Sequence, residues 1–258
     1  MPFLQYFRLI DTQARMALKA DASKNKLGYL WWILEPMLYV GVFYVVFNVI
    51  LDSKRADFLA FLMVGKFAFI WFSKAVNQAS NSIVANKGLI GKVDLPKTLF
   101  PMAVIQESLY KQSAVFLLLF AVLIGYGYEL SYMWLWLLPI IVVNYIMILA
   151  CSFVGACLVC VARDFSNFIS LGMVFLLFTS GIFWDVRSLG DPAKTDLVLA
   201  LNPLAFMLDA YRQVLMYQNM PDLAHLGLIG IGFGGLAMLM VVVMRRSSQY
   251  LALRALTA

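Results

Sequence analysis

The stretch GLIGK (88–92) is the chain's nearest approach to a phosphate-gripping loop. Such a loop needs four residues between its glycines, and a Ser or Thr after the lysine to hold magnesium. Here two residues separate the glycines and Val93 follows, so the chain does not bind ATP by that route. No nucleophile and base stand at a recognisable spacing, and His225 is the only histidine, so neither a His-based hydrolase nor a His/Cys zinc site can be assembled. Cys151, Cys157 and Cys160 share one apolar stretch and read as small core residues rather than a disulfide or metal framework. The expectation is a chain with no catalytic residue, metal or cofactor of its own.

Five charges fall inside apolar runs, where each is costly unless paired: Glu35, Lys66, Lys74, Glu107 and Lys111. Glu107 and Lys111 stand i, i+4 and can satisfy one another on one helix face. Lys66 and Lys74, eight apart, share a face; they line a wet cavity or helix interface, or they meet an anionic substrate. Glu35 precedes Pro36 in LGYLWWILEPMLYVGVFYVVFNVI (27–50), a run long enough to span a bilayer. A span starting near Leu30 puts Glu35 about 8 Å in, close to the inner headgroup boundary. There Lys24, Lys26 or Arg163 is the expected counter-charge, and Pro36 is expected to bend the span away from the segment before it. Both residues thus read as a hinge, not as catalytic groups.

Aromatics recur at helical spacing. Tyr39, Phe43 and Phe47 form one stripe, and Phe168, Phe175 and Phe178 another. Lipid contact or packing explains such stripes; so does a wall on which the C–H faces of pyranose rings slide, since stacking needs no fixed hydrogen-bond register.

These residues must be positioned by membrane helices. Hydrophobic residues make up 63% of the chain and charged ones 13%, about half the charged share of a soluble domain, which excludes a water-soluble fold. Six apolar runs of bilayer length are expected, at residues 30–51, 58–83, 99–126, 133–161, 165–184 and 223–244. The run VLALNPLAFML (198–208) is too short to cross and is broken by Asn202-Pro203, so it reads as a re-entrant or interfacial hairpin. Near the amino terminus Phe3, Phe7, Ile10, Ala14 and Leu18 share a face and Arg8, Arg15 and Lys19 another, describing a helix in the membrane interface or a short solvated cap on the bundle. With both termini inside, twelve Lys and Arg flank the cytoplasmic side against five outside, namely Lys54, Arg55, Arg187, Lys194 and Arg212. The net charge of +6 then marks cytoplasmic loops and anionic lipid, not nucleic acid. No internal repeat is visible, which weakens the case for an inverted-repeat transporter.

LGYLWWILEP (27–36) resembles the first-span signature of the permease subunits of ABC-2 type polysaccharide exporters, which export O-antigen and capsule. NKGLIGKVDLPKTLFP (86–101), Arg163-Asp164 and LNPLAFMLDAYRQVL (201–215) add to the resemblance, which covers essentially the whole chain. It implies one ABC-2 transmembrane domain over 1–258: an interface helix (1–26), spans one to five (27–183), an outer gate hairpin (184–222), and span six with a short tail (223–258). It further implies an inner-membrane homodimer working with two separate ABC ATPase subunits, which carry the ATP and magnesium, on a lipid-linked polysaccharide. Asn86, Lys87, Gly88, Lys92, Asp94, Arg163 and Asp164 would then receive the ATPase's movement. The stripes on spans one and five would line the opening, and Trp184, Asn202, Pro203 and Arg212 would belong to the outer gate. The competing expectations are an ABC-2 exporter of small amphiphiles, a membrane-embedded transferase, and a passive scaffold for polysaccharide synthesis.

Overall fold

The computed structural model describes residues 3–24, 26–50, 57–93 and 95–257, with Phe3, Phe47, Asn48 and Thr257 described in backbone only. Lys54, Arg55 and Asp94 lie outside the described residues, as does the side chain of Phe47. All the described regular elements are helical.

α1 (Phe3–Lys24) leads through a turn with positive φ at Gly28, and a short 3-10 segment (Gly28–Leu30), into α2 (Trp31–Tyr44), which continues as a π-helical turn (Val45–Ile50). α3 (Phe58–Ala85), the one-turn α4 (Lys87–Ile90) and α5 (Leu99–Gly125) follow. A 3-10 segment (Tyr132–Trp136) feeds α6 (Leu137–Val161), and after a tight turn comes α7 (Phe165–Thr179). α8 (Pro192–Leu201), α9 (Pro203–Leu215), α10 (Leu223–Arg246) and α11 (Ser248–Thr257) complete the chain.

α3 is the central post. It packs on α5, α6, α9, α2 and α7, and is buried on almost every side from Phe58 to Phe72. A helix apolar all round is suited to that place. α10 rests chiefly on α6 and leaves Leu228, Ile231 and Met238 exposed, as a helix facing hydrocarbon would.

Among the described residues, four helical stretches are long and apolar enough to cross a bilayer: α3, α5, residues Tyr132–Val161 and α10. The expected first and fifth spans do not reach that standard as single α-helices. The first is split between α2 and the π-helical turn, and the fifth is the 15-residue α7. α7 stops because Gly181 turns the chain at positive φ, while Asn202 Nδ2 donates to Ser180 Oγ at 3.0 Å and to the Thr179 carbonyl at 3.4 Å.

The bundle has two unlike ends. At one, α1, α4 and α11 gather around Ile10, Ile90, Leu99, Leu251 and Ala255. At the other, the segment expected as a hairpin forms two helices split at Asn202-Pro203, and α9 is buried from Leu204 to Leu215 and packs on α3, α6 and the Tyr132–Trp136 segment. The split follows from capping: Asn202 Oδ1 accepts from the Leu204 and Ala205 amides at 3.1 Å, and Pro203 takes the first helical position, where no N–H is needed.

Candidate functional site

Three groups of candidate residues stand at different heights in the bundle. Where α1, α2, α3 and α5 meet, Glu35 Oε1 accepts from Lys74 Nζ at 2.6 Å. The counter-charge of Glu35 is therefore a lysine of α3, not Lys24, Lys26 or Arg163 of the flanks. Beside it, Lys111 bridges Asp21 of α1 at 2.7 Å and Glu107 of its own helix at 2.8 Å, while Trp32 Nε1 donates to Asp21 at 3.1 Å. The expected Glu107–Lys111 pair is present, and α1 is tied into it. Around these groups lies a cavity of about 370 Å³ lined by Trp32, Glu35, Trp71, Lys74, Lys111 and Gln112.

Pro36 is buried inside an unbroken stretch of α2, and the break between α1 and α2 lies at 26–30 instead. Lacking an N–H, Pro36 removes one bond from the first turns of α2 without ending it. α1 is held along α5 by Tyr6 to Thr98 at 2.9 Å, by Tyr110 donating to Asp11, and by Lys111 donating to Asp21. The Tyr110 hydroxyl holds the Asp11 carboxyl below its usual range, and the Lys111 ammonium does the same for Asp21. Ile10 and Ala14 face the bundle, whereas Phe7, which shares their sequence face, is exposed.

The second group is aromatic and open. Tyr39 is 47% exposed, and Phe168, Phe175 and Phe178 are each more than half exposed. Phe183 joins the two helices, 4.7 Å from the Phe43 ring and 5.7 Å from that of Phe178. With Leu171 and Val174 also exposed, α7 presents an apolar face that none of the described residues covers.

The third group closes the opposite end, with Asp209 and Arg212 buried and Arg187 exposed. Arg187 grips Asp209 through Nε at 2.9 and 3.1 Å and Nη2 at 2.7 Å, and this bond raises the pKa of Arg187. Arg212, expected among the outer loop cations, is 2% exposed within the packed core. It donates to the carbonyls of Gly181 at 2.7 Å and Ile182 at 3.2 Å, and its guanidinium lies 3.5 Å from the Phe61 ring centre. A side chain at Gly65 would collide with that guanidinium, so glycine there makes room for it. Trp184 Nε1 donates to the Phe178 carbonyl at 3.0 Å, which ties the gate segment to α7.

The remaining candidates line the α1–α4–α11 end. Asn86 ends α3, its Nδ2 donating to the Ser82 carbonyl at 2.7 Å, while Lys87, Gly88 and Lys92 are exposed. Arg163 and Asp164 are exposed in the turn between α6 and α7. Sequence reasoning missed α11, treating it as a short tail. Its signal is the i, i+4 pair Leu251 and Ala255, both buried against the cluster that holds Ile90 of α4. Among the described residues, no group of three or more His, Cys, Asp or Glu side chains converges as metal ligands would.

A helical chain with four bilayer-length apolar stretches among its described residues, and with the Glu35–Lys74 ion pair joining two of its helices, is a multi-pass membrane protein. The family model described as "ABC-2 type transporter" matches residues 16–216, most of the chain, and the chain belongs to that family. It is 27% identical over 212 residues to the O-antigen export system permease protein RfbA of Klebsiella pneumoniae, covering 81% of each chain. It is 26% identical over 220 residues to the protein of the same name in Myxococcus xanthus, covering 84% of each. It is 26% identical over 206 residues to the polysialic acid transport protein KpsM of Escherichia coli, covering 77% of this chain and 78% of that one. Family membership implies partnership with ATPase subunits and a place in the membrane.

Proposed function

We propose that this chain is the membrane-spanning subunit of an ATP-driven exporter that moves lipid-linked polysaccharide, O-antigen or capsule, across the bacterial inner membrane. Two copies form the channel, each served by a separate ABC ATPase that carries ATP and magnesium, and both termini face the cytoplasm. The chain crosses six times, α2 with its π-helical turn and α7 supplying the spans that fall short alone. α1 lies at the inner interface, and α8–α9 form a re-entrant outer hairpin.

The observation that carries this reading is the uncovered aromatic face of α2 and α7, with Tyr39, Phe168, Phe175 and Phe178 open and Phe43 joined to Phe178 through Phe183. A second copy set against this face encloses a corridor walled by rings. Ring faces suit the C–H faces of a polymer that must slide. The names of the relatives, which speak of O-antigen and polysialic acid, point to the same class of cargo.

The other groups take their roles from position. The exposed Lys87, Gly88, Lys92, Arg163 and Asp164, with Asn86, form the surface the ATPase pushes. α4 and α11 meet α1 in one cluster, so a push there reaches α1, and through Asp21–Lys111 and Glu35–Lys74 it reaches α2 and α3. Trp184, Asn202, Pro203 and Arg212 set the outer gate.

Deleting the gene in its host and staining intact and permeabilised cells for polysaccharide tests the reading, with a plasmid copy as control. Export predicts glycan lost from the surface and trapped inside. Glycan absent everywhere would make synthesis or scaffolding the better account, and an unchanged surface would leave a small amphiphile as cargo.

A further inference from the structure

Of the five intramembrane charges, Lys66 is the one whose place the ion-pair network does not explain. It is 5% exposed, and among the described residues its ammonium has neither an ion-pair nor a hydrogen-bond partner. What surrounds the nitrogen is aromatic: the Phe43 ring centre at 4.6 Å, Phe69 at 5.6 Å and Tyr39 at 5.7 Å. Ring faces attract a cation by about 2 kcal/mol when it is desolvated. Taking an ammonium out of water costs several kcal/mol. The cage alone therefore leaves the charge under-compensated, and an anion is the missing partner.

Depth decides which anion can come. Lys66 stands eight residues beyond Phe58, the first residue of α3, about 12 Å along the helix. It stands eight residues before Lys74, where the polar junction begins, so it lies near the middle of a hydrocarbon core about 30 Å thick. Lipid phosphates lie outside that core, and a side chain buried against α2 cannot snorkel to them. The anion must travel within the protein. Between the ammonium and the open face stands one layer of rings, Tyr39 and Phe43, and Tyr39 is half exposed on the side the glycan would use.

We propose that Lys66, with Tyr39 and Phe43, is a recognition site for the carboxylate of an acidic sugar residue in the translocated glycan. The site takes a pyranose whose C–H face lies on the α2 rings while its carboxylate swings past Tyr39 onto the ammonium. One ammonium balances the single negative charge of a carboxylate, whereas a phosphate monoester brings nearly two. The inference rests on the polysaccharide-export reading and adds to it the chemical class of the cargo: a glycan bearing uronate-type residues.

The test uses the full chain in phosphatidylcholine nanodiscs. Binding of an oligogalacturonate and of its methyl ester, which keeps the rings and removes the charge, is followed by intrinsic tryptophan fluorescence. The wild type is expected to bind the acid about tenfold tighter or more, the size of a charge-assisted contact. Lys66→Met is expected to bind both forms equally, and Lys66→Arg to keep the preference. Because Met fills similar volume and removes a buried charge, an unchanged or higher thermal midpoint certifies that Lys66→Met is folded. Equal binding of both forms by the wild type, or a preference that survives in Lys66→Met, overturns the assignment while leaving the glycan path standing. Binding of neither form removes the path itself, and the inference with it. A preference abolished by phosphatidylglycerol in the discs would overturn the assignment in favour of a lipid headgroup.

Discussion

The charges at the two ends of the bundle are held in opposite ways. At the junction of α1, α2, α3 and α5, Glu35–Lys74 and Asp21–Lys111 are partly exposed and border a cavity, and each joins helices from different parts of the chain. At the far end, Asp209 and Arg212 are sealed in the core, Asp209 bonded to Arg187 and Arg212 to carbonyls at the end of α7. Partly exposed pairs are individually weak and screened by salt, so they can break and reform as helices shift. Buried groups held by several bonds at once are costly to disturb. The difference assigns movement to the α1 side and a fixed frame to the α9 side, which is the division of labour that the proposed export mechanism requires.

Arg212→Leu gives the largest effect. It removes the bonds to Gly181 and Ile182 and the ring contact with Phe61, and about 3 kcal/mol of stability is expected to go with them. In thermal unfolding of the purified chain that is a fall of roughly 6–12 °C. A fall no larger than that of a surface substitution would erase the contrast between the two ends.

Asn202→Ala comes next. The loss of the cap on α9 is expected to cost about 1 kcal/mol, and the tie to Thr179 and Ser180 goes with it. Proteolysis within 184–202 should rise while the α1 side is unaffected, and a rise on both sides would show that the ends are not separate.

Glu35→Gln should be nearly silent in stability, within about 1 kcal/mol. Its mark is functional: ATP hydrolysis by the assembled complex should lose its stimulation by substrate. Normal export with stimulated hydrolysis would remove Glu35 from the transmission path.

The smallest effect concerns pH. Lys111 depresses the Asp21 carboxyl, so the stability it contributes is fully present above the ordinary carboxylate range and lost as pH falls through the lower folded value. Acid should therefore loosen α1 from α5 before it disturbs α9. Hydrogen exchange of α1 amides checks this, and Asp21→Asn should flatten the dependence.

Much of this was legible in the residues. Local rules carried the furthest: the break at Asn202-Pro203, Glu107 and Lys111 one turn apart, and four of the six expected apolar runs of bilayer length. What depended on packing between helices was not legible. The partner of Glu35 comes from another helix, so chain proximity suggested the wrong bases. Arg212 was counted with the loop cations because the ten-residue α8 and thirteen-residue α9 look like hairpin arms, yet α9 packs into the core. α11 is short and only two of its residues are sealed, so it read as a tail.

The central claim is that the open rings of α2 and α7 carry the glycan. Tyr39→Ala/Phe175→Ala tests it directly, because Phe175 is 67% exposed and Tyr39 about half exposed, so their loss barely touches the fold. In cells deleted for the gene and carrying this variant at wild-type protein levels, surface glycan should disappear while glycan accumulates inside. Surface glycan at the wild-type level would contradict the account.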